Sequence, residues 1–288
     1  MFQSLEMIIK KSEEKGIPFW KIVQEDDCRE SNISPEESFE KMRRMYQAMV
    51  ESVKSYDAKL CSASGLVGTE GAKVHKRRCD GELLAGDLIG MIMERALMVA
   101  ESNACMKRIV AAPTAGSCGV VPAVLTAVQE EKGYSEEKMV EALYVVAGIG
   151  GVIAERASLA GAEGGCQAEI GSASAMAAGG LAYLQGADAE VISHAAVLAL
   201  KGLLGLACDP VAGLVEVPCV KRNVIGAVNA VTSADMAMSG IMSKIPPDQV
   251  IDAMKSIGRN MPSEVRETGR GGLAATPEGI EISKRIQM

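Results

Sequence analysis

The chain has 288 residues, a net charge of -7 at pH 7 and only 3% aromatic residues. This length is enough to bury a real core, and we expect one domain. The acidic balance, the absence of a basic block and the few aromatic rings argue against nucleic-acid binding through phosphate contacts or base stacking.

The N-terminal residues carry charges among their apolar positions and lack the continuous apolar segment of a secretory signal. We therefore expect the eight cysteines to be reduced and the chain to be cytoplasmic. The longest uncharged run, 170–187, is rich in Gly, Ala and Ser and contains Gln185. This composition favours a buried helix over a membrane span.

Two helices are predicted in the first sixty residues. An amphipathic pattern over 3–15 ends near Gly16 and Pro18, which both stop helices. The second helix begins at Ser34, an N-cap candidate followed by proline and two acids, and extends to about Tyr56.

Residues 61–80 break the helical periodicity and are predicted to form a loop with a short basic run. The helical pattern returns from Asp80, a plausible cap, to Asn103. Residues 108–112 are predicted to form either a short strand or an extended segment leading into Pro113.

Small and hydroxyl residues precede the next helix, predicted over 120–130. Thr114, Ala115, Gly116 and Ser117 place amides and hydroxyls at its N-terminus, an arrangement that binds anions. An ordinary Ser or Thr cap is the alternative interpretation.

Further helices are predicted from Ser135 to Val152 or beyond, and from Gln167, Asp188, Lys221 and Pro247. No strand-like alternation of any length is present. The pattern therefore predicts an all-α fold and argues against the alternating strands and helices of a pyridoxal-phosphate enzyme.

Three cysteines lie where helical patterns break, beside Gly, Asp or Pro: Cys166, Cys208 and Cys219. Their spacing fits no paired CxxC zinc pattern. Three thiolates without a fourth would suit an iron–sulfur cluster with one open iron, which can act as a Lewis acid. The alternative is that each is a buried small apolar residue, as free cysteines often are.

The segment from Met261 is rich in glycine and carries Arg266 and Arg270. It is expected either to cover a site or to be a loose end with solvated arginines.

Five stretches together resemble the α chain of the iron–sulfur-dependent L-serine dehydratases. They are SASGLVG, APTAGSCGVVPAV, GAEGGCQAEIGSASAMAAGG, GLACDPVAGLVEVPCVKRN and RETGRGGLA, which occur in this order between Cys61 and Ala274. The resemblance implies an all-helical catalytic domain with a cluster held by loops at helix ends. It divides the single domain 1–288 into N-terminal helices (1–60), a catalytic core (61–274) and a tail (275–288).

The same resemblance implies conversion of L-serine to pyruvate and ammonia, with a 4Fe-4S cluster on Cys166, Cys208 and Cys219 and the fourth iron left for substrate. The substrate carboxylate is expected to meet N–H and O–H donors of the two loops. These residues are Ser62, Ser64, Gly65, Thr114, Ala115, Gly116 and Ser117.

The general base is less defined by sequence. His75 and Lys73 are the candidates, although a histidine in a basic run is also typical of a solvated loop. His194 lies in an apolar stretch and is interpreted as a core or cap residue. A base from a partner chain is the remaining alternative.

Single-chain members of this family carry a further small domain ahead of the catalytic one, so the resemblance implies a separate β chain and a heterodimer or higher assembly. Some relatives end in a cysteine that can cover the open iron, whereas here no cysteine follows Cys219. Water or a partner group is then expected on that iron.

Two other functions stay open on sequence alone. One keeps the cluster and acts on L-cysteine or another small β-substituted amino acid. The other is an electron carrier or a helical scaffold, against which the missing fourth thiolate counts.

Overall fold

The computed structural model describes residues 2–287 as helices joined by turns. The helices are α1 (Leu5–Lys15), α2 (Phe19–Ser31), α3 (Pro35–Lys54), α4 (Glu70–Cys79), α5 (Gly86–Ala104), α6 (Val120–Lys132), α7 (Glu136–Arg156), α8 (Gly161–Gly164), α9 (Ser172–Leu184), α10 (Ala189–Gly202), α11 (Cys219–Met238), α12 (Pro247–Asn260) and α13 (Pro277–Gln287). Within residues 2–287, β-type pairing is limited to isolated bridges. The predicted all-α class is confirmed.

Short turns of other helical types occur where the candidate site residues lie. A 3₁₀ turn covers Ala115–Ser117, and a π-helical turn covers Gln167–Gly171. Further 3₁₀ turns cover Val211–Gly213, Ser263–Val265 and Gly272–Ala275. In the part of the chain that the structure describes, no helix is long and apolar enough to cross a lipid bilayer.

The central element is α9, in which every residue is buried. It packs against α7, α10, α11 and α6. Close approach to α7 depends on small residues, because a Cβ added at Gly179 would lie 2.1 Å from Ile149 Cδ1. The uncharged run therefore forms a buried helix, as its composition predicts.

Helix ends at several predicted positions are confirmed. Ser34 forms a capping box with Glu37, in which Glu37 N donates to Ser34 Oγ (3.2 Å) and Ser34 N donates to Glu37 Oε2 (3.1 Å). Ser135 and Asp188 accept hydrogen bonds at the starts of α7 and α10. Gly16 ends α1 with φ 64°, a conformation that glycine adopts without steric cost.

The predicted loop over 61–80 is wrong in its second half, which forms α4. This helix has a polar sequence without an apolar period, and it is stabilised by packing against α5. A Cβ at Gly71 would lie 2.7 Å from Met98 Cγ, so the two helices approach closely. Asp80 consequently ends α4, and α5 begins only at Gly86.

Two other local predictions need correction. The sequence predicts no element over residues 19–31, but they form α2. This helix buries Phe19 and Ile22 and packs against α7. The alternative of a strand at 108–112 is wrong, since this segment forms no strand pairing and no regular secondary structure.

Candidate active site

The three cysteines of the metal hypothesis come together from three helix ends. Cys166 follows α8, Cys208 lies in the loop after α10, and Cys219 is the first residue of α11. Only 2%, 3% and 7% of their surfaces are exposed, respectively. The Cys208 thiol hydrogen-bonds to Cys166, and Cys219 is close enough to interact electrostatically with both. We call these three residues the thiol set.

The three thiols of the thiol set differ in pKa, partly because of the hydrogen bond between Cys208 and Cys166. Donation from Cys208 lowers the pKa of Cys166, and the nearby Arg222 guanidinium lowers it further. The same hydrogen bond, together with burial, raises the pKa of Cys208. Burial raises the pKa of Cys219 to about 12. Cys166 is therefore the thiol that loses its proton most readily.

Glu169 is a carboxylate at the thiol set that the sequence interpretation missed. It lies in the π-helical turn directly after Cys166, and its Oε2 is 3.8 Å from Cys208 Sγ. Its Oε1 accepts a hydrogen bond from Thr114 Oγ1 (2.8 Å). Burial raises the pKa of Glu169, and the Glu267 carboxylate raises it further. The sequence signal was a lone acid immediately before the longest uncharged run.

The first predicted substrate loop lies against the segment between Cys208 and Cys219. Ser62 Oγ donates to Glu216 Oε2 (2.8 Å), and Ser64 Oγ donates to the same oxygen. Gly65 is exposed, with φ 74° and open space where a side chain would stand. The two hydroxyl groups are thus held by a carboxylate of the chain itself.

The second predicted loop reaches the thiol set through Glu169. Besides the Thr114 hydrogen bond, a Cβ added at Gly116 would lie 3.0 Å from Glu169 Oε1. Ser117 is buried and hydrogen-bonds to Thr114, while Ala115 is exposed. The 3₁₀ turn places this loop at the N-terminal end of α6, a position that fits both the anion-binding and the capping interpretation.

Asn223 connects the second loop to the start of α11. Its buried Nδ2 donates to the carbonyl oxygens of Gly116 and Cys219, each at 2.9 Å. Its Oδ1 accepts a hydrogen bond from Gly119 N (2.8 Å). One side chain therefore fixes the loop relative to Cys219.

Replacement of Asn223 by alanine is expected to lower the free energy of unfolding by about 2 to 4 kcal/mol, because it leaves buried backbone groups without partners. It should also increase the rate at which the Cys219 thiol reacts with an alkylating reagent. Chemical denaturation and peptide mass spectrometry measure the two effects. The matched control is Asn229→Ala, since Asn229 joins α9 and α10 through Ser174 and Ala199. Equal labelling of Cys219 in both variants would contradict the role of Asn223.

The C-terminal segment lies directly on Cys208. Cys208 N donates to Val265 O (2.8 Å), and Glu267 N donates to Cys208 O (2.7 Å). The segment is therefore held against Cys208 and is not a loose end. Arg266 is partly buried and pairs in a bridge with Cys208, whereas Arg270 is exposed.

A second set of contacts holds the Cys208 loop from the opposite side. Arg222 donates to Ala207 O (2.7 Å) and to Asp209 Oδ1 (2.8 Å). Asp209 Oδ2 accepts a hydrogen bond from Leu273 N (2.8 Å). The residues on both sides of Cys208 are thus tied to α11 and to the C-terminal segment.

The candidate bases from sequence lie on α4. The His75 ring is half-exposed and contacts Glu94 and Cys79, and Lys73 is exposed. None of these contacts joins them to the thiol set. His194, inside α10, is partly buried, and its Nδ1 accepts a hydrogen bond from Ser243 N in the loop before α12 (3.1 Å), so it caps no helix end.

The remaining cysteines differ in exposure. Cys118 is fully buried and burial raises its pKa to about 12. Cys61 and Cys79 are exposed, and Cys28 and Cys105 are partly buried. All eight thiols are free.

The thiol set has the donor chemistry that an iron–sulfur cluster requires. Among residues 2–287, no three His, Cys, Asp or Glu side chains are arranged to hold one metal ion. Cysteines of an iron–sulfur cluster bind different irons, so their sulfur atoms need not converge on one point. Three buried thiols with a neighbouring guanidinium fit such an anionic group.

Residues 14–274 match the family model described as serine dehydratase alpha chain. The chain belongs to the serine dehydratase alpha-chain family. It is 44% identical over 286 residues to a probable L-serine dehydratase, alpha chain, of Bacillus subtilis, covering 99% of this chain and 95% of that one. Identity to the L-serine dehydratase, alpha chain, of Peptoniphilus asaccharolyticus is 38% over 285 residues, with coverage of 99% and 98%.

Longer members of the family match over a shorter region. An L-serine dehydratase of Escherichia coli is 44% identical over 190 residues, which are 65% of this chain and 42% of the relative. The chain thus spans less than half of that protein, while it covers nearly the full length of the two alpha chains.

Proposed function

We propose that this chain is the alpha chain of an L-serine dehydratase, a lyase that converts L-serine to pyruvate and ammonia. The proposal is supported by the two relatives named as alpha chains, which align over nearly their whole length. The observation that carries it is the meeting of three buried thiols beside Glu169 and the two loops that were predicted to bind the substrate.

The cofactor that we propose is a 4Fe-4S cluster held by Cys166, Cys208 and Cys219. When bound, it supplies an iron without a protein thiolate, a Lewis acid that assists departure of the β-hydroxyl group of serine. The chain excludes water around the thiol set through burial and through the C-terminal segment on Cys208. Arg222 adds positive charge beside it.

The two loops are proposed to bind the serine carboxylate through their hydroxyl and amide groups. The residues are Ser62, Ser64, Gly65, Thr114, Ala115, Gly116 and Ser117. The second loop meets Glu169 at the thiol set, and the first loop meets Glu216 in the segment between Cys208 and Cys219, which supports this role. The carboxylates of Glu216 and Glu169 now accept hydrogen bonds from Ser62 and Thr114. When a substrate carboxylate binds, it has to replace Glu216 or Glu169 as the acceptor of some of these hydrogen bonds.

Removal of the α-proton requires a base within hydrogen-bond reach of the substrate. We propose Glu169 as this base, because its two oxygens contact Thr114 and Cys208, where the substrate is proposed to bind. His75, Lys73 and a group from a partner chain stay as the alternatives.

We further propose a β chain as partner, in a heterodimer or a higher assembly, and a cytoplasmic location. The alpha-chain names of the relatives support the partner. The eight free thiols support a reducing compartment.

Anaerobic reconstitution of this chain with iron and sulfide, with and without a candidate β chain, tests the proposal. We expect about four iron and four sulfide per chain, a change in visible absorption when L-serine is added, and pyruvate when the partner is present. L-Cysteine serves as the comparison substrate. A colourless protein that binds one zinc ion would contradict the proposed cofactor and reaction.

A further inference from the structure

A second group of reactive side chains lies on α4 and α5, outside the thiol set. Cys79, the last residue of α4, is exposed, and its Sγ is 3.6 Å from Nε2 of His75 one turn earlier. The other ring nitrogen, Nδ1, lies 3.1 Å from Glu94 Oε2. The imidazole of His75 thus connects the thiol of Cys79 to the carboxylate of Glu94.

The carboxylate of this group is fixed by its surroundings. The Glu94 side chain is only 5% exposed. Arg78 donates to both of its oxygens, from Nε to Oε2 (2.9 Å) and from Nη2 to Oε1 (3.2 Å). A carboxylate whose oxygens accept from Arg78 also accepts a proton donor at Nδ1, which leaves the Nε2 lone pair directed at the Cys79 sulfur. The ring is therefore oriented to take the thiol proton.

The cations around Cys79 are largely offset by acids of the same region. Lys73, Lys76, Arg77 and Arg78 all lie on α4. Lys76 pairs with Asp80, Arg77 pairs with Glu82, and Arg78 also pairs with Asp87 of α5. The helix C-terminus opposes a thiolate, but this effect is screened at an exposed position.

We propose that Cys79 is a site of thiol–disulfide exchange with low-molecular-weight disulfides of the glutathione class. The Cys79 proton passes to His75 Nε2, and the sulfur attacks one sulfur of the disulfide. The bond between the two reagent sulfurs breaks as the Cys79–S–S bond forms. The thiolate that leaves takes the proton from His75, so no external oxidant besides the disulfide is needed.

Cys61 provides an internal comparison. It is also exposed, but among residues 2–287 it has no hydrogen-bonded imidazole. Because both thiols react with the same reagent in the same sample, the ratio of their reaction rates reports the effect of the local environment alone. This exchange requires neither substrate nor cluster, and its outcome is independent of the proposed lyase function.

The test exposes the full-length chain to oxidised glutathione at pH 7 and measures mixed disulfides at Cys79 and Cys61 by peptide mass spectrometry. We expect Cys79 to react about tenfold faster than Cys61 in the native protein. The ratio should fall to about one in urea, because unfolding separates the thiol from the imidazole.

His75→Gln should reduce the native ratio at least about threefold without changing the rate at Cys61. A native ratio near one, or a ratio that His75→Gln leaves unchanged, would overturn the proposal.

Discussion

Replacement of Cys208 by serine is expected to abolish dehydratase activity and to reduce bound iron to well below half of the wild-type content. Cys208 lies in the middle of the thiol set, and a serine hydroxyl is a poor ligand for iron compared with a thiolate. Iron and sulfide are counted after anaerobic reconstitution, and pyruvate is measured in the presence of the partner chain.

The matched control for this change is Cys105→Ser. Cys105 is partly buried at the end of α5, and burial together with Glu101 raises its pKa. It does not contact the thiol set, so we expect full iron content and a stability loss of about 1 kcal/mol or less. Equal iron loss in the two variants would show that the assigned ligands are wrong.

Replacement of Glu169 by glutamine is expected to lower kcat by about 10² to 10⁴ while iron content is retained. Glutamine keeps the size of the side chain and an oxygen that can accept the Thr114 hydrogen bond, but it cannot take up a proton as a carboxylate does. Steady-state kinetics and iron analysis of the same preparation separate the catalytic effect from an effect on the cluster.

Glu163→Gln is the control for Glu169. Glu163 lies three residues before Cys166 as Glu169 lies three residues after it, but Glu163 is exposed. We expect its replacement to leave kcat within about twofold, as is usual for exposed substitutions. The alternative base is tested by His75→Gln. If that change lowered kcat by the predicted factor and Glu169→Gln did not, the base would be His75.

The two assignments, Cys208 as ligand and Glu169 as proton acceptor, predict different cofactor contents in the variants. A ligand variant loses the cofactor, so every later measurement is affected. A proton-transfer variant keeps the cofactor and its substrate-dependent absorption change. The pair of variants therefore distinguishes a wrong ligand set from a wrong base.

Local sequence determined most of the helices and several of their ends. Ser34, Ser135 and Asp188 cap helices because a short side chain can accept a hydrogen bond from an amide two or three residues later. The same local logic identified the uncharged stretch of α9 as buried. The three cysteines stood out because each adjoins a helix breaker.

Only the tertiary structure decided what lies beside those residues. The polar α4 exists because Gly71 lets it approach α5, a contact between segments that local periodicity does not record. Glu169 meets Thr114, Asn223 meets Gly116 and the C-terminal segment meets Cys208 by contacts across long sequence separations. Sequence determined which groups can react. Packing decided which of them meet, because hydrogen bonds and burial act between neighbours in space rather than along the chain.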